Sequence, residues 1–253
     1  MKVLLSPAKS MKSKHSNFVL KTTKPLFDNK TKQIISVLSG WSLLDFKLKM
    51  KTNDSISQTT FDAFQSLKKG VSENRFPSIY YYDGIAFKGL SAINMSTDDI
   101  NYAQDHLYVL SGLYGLLRPL DLIEFYRLEM ALRFQISSDI NSLYEFWSHE
   151  ITSYLNKCSS NEIVVNLASN EYSKVIDTKT LTCKFITCHF LEVKNGTEKI
   201  VSSHAKRARG MMANFIMVNK LKSIENLKLF NLGGYIFRED LSSKNNIYFS
   251  RES

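Results

Sequence analysis

Single polar residues recur where apolar strands of this chain are predicted to end. Lys9 sits in the loop SPAKS after the run Val3 to Leu5, and Lys88 follows the aromatic stretch IYYYDGIAF. Asn170 and Glu171 follow IVVNLAS, and Lys206 and Arg209 lie one turn apart near the start of a helix predicted in SHAKRARGMMANFIMVNK. Lysine and arginine hold phosphate oxygens, and a carboxylate beside a lysine suits proton abstraction with stabilisation of developing charge. Loops at the carboxyl ends of strands are where open α/β sheets bind ligands. These residue types point to recognition of an anion. If there is a reaction, Glu171 is the candidate base, with Tyr114 and Lys206 as its partners.

A second candidate lies in LSGLYGLLRPLDLIEFYRLEM, residues 110–130. Glycine weakens a helix interior by roughly 1 kcal/mol and proline by about 3, so Gly112, Gly115 and Pro119 break any continuous helix here. The expectation is a tight turn at Gly112, Leu113, Tyr114 and Gly115, with a helix restarting at Pro119 to Asp121 and carrying Arg127 and Arg133. Two glycines bracketing two residues let backbone N–H groups approach an anion, as in helix-hairpin-helix modules that hold a DNA phosphate. The GLYG spacing is wider than the Gly-apolar-Gly hairpin of those modules. The structural alternative is a turn between core elements, with Arg127 paired to Glu124 or Glu129.

Charge distribution supports an anionic partner. Residues 1–27 hold Lys2, Lys9, Lys12, Lys14, Lys21 and Lys24, and residues 199–224 hold Lys199, Lys206, Arg207, Arg209, Lys220 and Lys222, with no acid in either stretch. The whole chain is +9, so everything outside these twelve cations is net acidic. On the predicted helix, Ala208, Met211, Met212, Phe215 and Val218 form the stripe expected to be buried. Lys206, Arg209, Ala213, Met217 and Lys220 lie opposite, with Gly210 and Ala213 leaving room for a close anion.

The elements that must position these residues are mixed along the chain. Strands are predicted at Met1 to Leu5, from Pro77 into a turn at Asp83-Gly84, at Leu107 to Leu110, across EIVVNL, and as a hairpin about Asn195-Gly196. A final strand pair closes the chain. Helices are predicted from Lys30 to Leu38, Ser57 to Lys69, after the Ser96 cap, and from Asn141 to Lys157. With 253 residues, 43% hydrophobic and 23% charged, and no repeat or linker, the reading is one domain over residues 1–253. Its fold class is α/β mixed (α+β), a mixed sheet flanked by helices, with a helix-hairpin-helix-like element and a basic cleft.

Several functions are disfavoured. Cys183 and Cys188 are five apart on a strand and face opposite sides; His15, His106, His149 and His204 have no ligand spacing, so no metal site is expected. Neither GxxxxGK[ST] nor GxGxxG after a strand occurs, and no cofactor is expected. Three scattered cysteines, no secretory h-region and no long apolar run suggest a cytoplasmic protein away from membranes.

The motifs SPAKS, AFKGL, LSGLYGLLRPLDLIEFYRLEM, NLASNEY, AKRARG and GYIFREDLSS, in this order, resemble the YaaA-type peroxide stress response proteins, and the resemblance spans essentially the whole chain. It departs mainly at YYDGIAFKGL, where that family more often reads a variant of FKGDVYTGL. The resemblance implies a cytoplasmic DNA-binding protein that limits iron-driven oxidative damage under peroxide. It implies duplex or bulged DNA as partner, bound by Gly112 to Gly115 and by Lys9, Arg118, Arg127, Lys206 and Arg209, to which the strand-end reading adds Lys88; phosphate-directed cations without a base-contacting helix motif point to little sequence preference. Five phosphate contacts predict a log-affinity against log-salt slope of about −4 to −5. An enzyme acting on a nucleotide or nucleobase is the alternative. A monomer is favoured.

Overall fold

Lys-Val-Leu-Leu is wholly apolar after its first residue, which suits a strand covered on both sides. In the computed structural model, which describes residues 1–12, 20–70, 74–159 and 162–252, this run is β1 (Lys2–Leu5), and Val3, Leu4 and Leu5 are completely buried. Lys14 and His15 lie outside the described residues. Three helices follow: α1 (Asp28–Leu38), α2 (Leu43–Met50) and α3 (Asp54–Lys69). The chain then passes β2 (Phe76–Pro77), α4 (Ser78–Tyr81), α5 (Ile85–Leu90) and α6 (Thr97–His106) before entering β3 (Leu107–Ser111). The short strands β4 (Gly115–Leu117) and β5 (Leu122–Ile123) precede α7 (Leu143–Cys158), β6 (Ile163–Leu167) and α8 (Asn170–Ser173). Then come β7 (Lys184–Lys194), β8 (Thr197–Lys199), α9 (Ser202–Val218), α10 (Ile224–Leu227), β9 (Ile236–Arg238) and β10 (Asn246–Glu252).

Eight strands form one mixed sheet in the order β4-β3-β1-β6-β7-β10-β9, with β8 beside β7. β3, β1, β6, β7 and β10 run parallel, while β4, β8 and β9 are antiparallel to their partners. From β1 the chain crosses to β3 on one side, then returns to β6 on the other. The carboxyl ends of β1 and β6 therefore flank the point where strand order reverses, the place such sheets open a crevice. The expected α/β domain with a mixed sheet flanked by helices is the observed one.

Two local expectations fail. The stretch from Pro77 is helical rather than extended: only Phe76 and Pro77 pair as a strand, with β5. Tyr82 is 1% exposed and packs on Phe87, and burial of these aromatics between helices outweighs their strand preference. The segment after Gly115 holds no helix. Gly112 to Gly115 close a hairpin from β3 into β4, and Asp121 leads into β5, so Arg127 and Arg133 ride on loops and no helix-hairpin-helix forms.

The glycines of this turn serve packing. A Cβ on Gly112 would lie 2.6 Å from the Leu128 carbonyl oxygen, and one on Gly115, whose φ is +71°, would lie 2.7 Å from the Trp147 ring. Trp147, on the buried stripe of α7, donates its indole N–H to the Gly112 carbonyl at 2.9 Å. Below the turn, the hydroxyls of Tyr82, Tyr126 and Ser111 form a buried chain with both steps 2.6 Å. Tyr126→Phe removes the central hydroxyl and leaves two buried groups each short of a partner. We expect a loss of about 1–3 kcal/mol of stability in urea unfolding, with spectra otherwise native.

Candidate functional site

The SPAKS loop leaves β1 at the switch point and is tied down on two sides. Ser6 Oγ accepts the Ser169 backbone N–H at 2.8 Å and donates to Ser169 Oγ at 3.3 Å, joining the carboxyl ends of β1 and β6. The Ser10 carbonyl accepts the Asp83 N–H at 2.8 Å, joining the same loop to the segment before α5. These loops, α5 and one edge of α9 enclose a cavity of about 300 Å³. Leu5, Ala86, Phe87 and Leu167 give it apolar walls, and Ser6, Lys9, Asp83, Ser169, Glu171, Tyr172, Lys206 and Arg209 supply its polar groups.

The position of α9 depends on two glycines. A Cβ on Gly210 would stand 1.8 Å from the Ala86 carbonyl oxygen, and one on Gly89 would stand 2.3 Å from that of Arg207. The helices α5 and α9 thus touch backbone to backbone, which carries Lys206 and Arg209 to the cavity. Gly210 makes room for a helix rather than for an anion. The predicted polar face of α9 is also corrected: Ala213 and Met217 are completely buried while Val218 is exposed. α9 is covered by α5 on one side and the sheet on another, so its buried arc is wider than a single stripe.

The electrostatics of this edge are uneven. Arg209 makes no ion pair among the described residues, and its buried Nε has no hydrogen-bond partner. Burial pulls the guanidinium below the ordinary arginine range, partly offset by Cys188 beside it. That thiol is itself buried and pushed up to about 12, so it is neutral at physiological pH and does not compensate the cation. Lys206 is exposed and has no acidic partner among the described residues. Across the cavity, Lys9 pairs with Glu129 at 2.6 Å, and Glu129 also accepts Arg127 at 3.2 Å. Arg127, whose Nε is likewise buried and unpartnered, lines a small adjoining crevice with Lys9 and Tyr172.

Of the residues singled out in the sequence, Lys9, Glu171, Lys206 and Arg209 meet here, and Arg127 stands next door, largely neutralised. Asn170 is exposed outside the lining. Lys88 borders a different crevice with Tyr80, Ser91 and Ile93. Arg118 is the counter-ion of Asp121, a completely buried carboxylate that it holds at 2.9 Å. Gly112, Leu113, Tyr114 and Gly115 are buried, so their N–H groups are out of reach of an external phosphate. Tyr114 accepts the Glu124 N–H at 3.3 Å, and burial pushes its hydroxyl far above the usual tyrosine range, so it is no partner for Glu171. The sequence reading missed Tyr172, Phe87, Ser6 and Ser169. Three of these, Phe87, Ser169 and Tyr172, adjoin Lys88, Asn170 and Glu171 in sequence, and for Ser169 and Tyr172 the end of the IVVNL strand is the available signal.

Among the described residues no group of three or more metal-ligating side chains comes together, and no helix is long and apolar enough to cross a membrane.

The sequence profile of the family described as peroxide stress protein YaaA matches residues 1–241. The chain belongs to this family. Relatives that cover it nearly end to end include a UPF0246 protein of Francisella philomiragia, 38% identical over 99% of this chain and 100% of its own length. A UPF0246 protein of Legionella pneumophila is 38% identical over 99% of both chains, and one of Francisella tularensis is 38% identical over 99% and 100%. Every residue that lines the cavity, from Leu5 to Arg209, lies inside the stretch matched by the YaaA family.

Proposed function

We propose that the protein serves the peroxide stress response by binding DNA, duplex or distorted, at the mouth of this cavity, and that holding DNA there limits iron-driven damage to it. The observation that carries the proposal is the meeting of Lys9 with Lys206 and Arg209, from two distant basic segments, at one cavity, where neither α9 cation is ion-paired among the described residues. Phosphate contacts of this kind position a strand without reading its sequence. Because carboxylates engage Arg118, Arg127 and, at 2.6 Å, Lys9, two cations remain to meet phosphates. The expected slope of log affinity against log salt is then about −2 rather than −4 to −5. Fluorescence anisotropy of labelled duplex and bulged DNA between low and physiological salt measures it, and a flat dependence defeats the proposal.

One observation favours a second reading, an enzyme acting on a nucleotide or nucleobase. Glu171 and Lys206 line the same cavity, a carboxylate in the lining that backbone binding alone does not need. In that case Glu171 takes the proton and Lys206 stabilises the charge that develops. Turnover of nucleosides or nucleotides that vanishes in Glu171→Gln, with the fold intact, would establish it.

A further inference from the structure

We infer that the cavity holds one nucleotide out of the base stack, its phosphate against Lys206 and Arg209 and its base between the apolar walls, with Glu171 accepting from the N–H donors of the base. The inference rests on the DNA reading for its source of ligand but not for its chemistry. A space of about 300 Å³ admits a small molecule and excludes a duplex. Its composition follows the needs of a nucleotide part by part. Phe87 and Tyr172, 6% and 8% exposed, give aromatic surface, and Leu5, Ala86 and Leu167 extend it. Such walls receive a base that has lost its stacking neighbours.

The charged groups fix the orientation. A phosphate beside Glu171 would be repelled, whereas Arg209 has a buried donor without an acceptor and no acid to balance it among the described residues. The anion therefore belongs at α9. Glu171, an acceptor only when ionised, suits amino and imino N–H groups on a base edge. Ser6 and Ser169 add hydroxyls at the floor between the two strand ends. Taking a nucleotide out of a helix costs least where it is unpaired or damaged, so a pocket of this kind selects distorted DNA without reading its sequence.

The same chemistry has two sources, a strand of DNA or a free nucleoside monophosphate, and the experiment separates them. The full-length protein is titrated with a duplex carrying 2-aminopurine as a single unpaired nucleotide and with the matched duplex, while thermal shift is recorded with free nucleoside monophosphates. We expect about tenfold tighter binding of the unpaired form, with a change in 2-aminopurine fluorescence. Both should be lost in Arg209→Gln and in Glu171→Gln, whose folding is checked by circular dichroism. Equal affinity for the two duplexes, no fluorescence change and no thermal shift overturn the pocket while leaving DNA binding standing. Stabilisation by free nucleotides with no affinity for any DNA supports the pocket and overturns the DNA reading. No response to any ligand overturns both.

Discussion

Gly210→Ala is expected to destabilise the protein by about 3 kcal/mol or more and to abolish ligand binding with it. At an ordinary helix position the change would do the opposite, because alanine is favoured over glycine by roughly 1 kcal/mol in a helix interior, and Gly210 lies well inside the seventeen-residue helix α9. The new methyl carbon, however, would be placed 1.8 Å from the Ala86 carbonyl oxygen and 2.7 Å from the Leu90 nitrogen. Both are backbone atoms of α5 and cannot swing aside as a side chain would. Overpacking typically costs about 1–3 kcal/mol where side chains can yield, and here two helices must separate. Lys206 and Arg209 move with α9, so the cavity loses its cationic edge. Urea unfolding together with DNA anisotropy tests this, and stabilisation by the alanine would show that the helices do not meet as described. Gly89→Ala strains the same crossing from the other side, so the double variant should cost less than the sum of the two.

Neutralising Lys206 and Arg209 together, as Lys206→Gln with Arg209→Gln, is expected to lower DNA affinity at least about a hundredfold at low salt and to reduce the salt slope by about two. A hydrogen bond to a charged partner contributes about 1.5–3 kcal/mol, and each phosphate contact adds close to one to the slope. Stability is expected to stay level or rise. Arg209 keeps a buried Nε without an acceptor, and burial disfavours its charged form, so the fold gains little from the cation. Such a separation between binding and stability marks a residue retained for a ligand. Arg118 is the contrast: it neutralises the buried Asp121, and its role belongs to the fold. A double variant that binds DNA with unchanged affinity and slope would remove α9 from the interface.

How much of this was legible in the sequence differs from element to element. The Ser96 cap with Asp99 three residues on forms a complete capping box at the start of α6. Asn195 and Gly196 both take positive φ in the turn between β7 and β8. The stripe Leu143, Phe146, Trp147, Ile151 and Leu155 is the buried face of α7. Each depends on residues within a few positions of one another, where capping, turn geometry and helical period act directly. The run from Pro77 to Leu90 and the segment after the Gly112–Gly115 turn depart from expectation for the opposite reason. Tyr82 hydrogen-bonds Tyr126, Gly115 packs on Trp147 and Gly210 faces Ala86, and no local pattern announces partners so distant.

The candidate site divides in the same way. The sequence by itself determined the family, the alternation of strands and helices, the two acid-free basic stretches and the strand ends from which Lys9 and Glu171 project, since these follow from residue order and local preference. Only the tertiary structure decided which cations are available to a ligand. Asp121 takes Arg118 and Glu129 takes both Lys9 and Arg127, while burial withdraws Tyr114 and the glycine turn. Lys206 and Arg209 are left facing a cavity because a charge is neutralised by whatever the fold brings within a few ångströms, and contact between distant segments is set by packing.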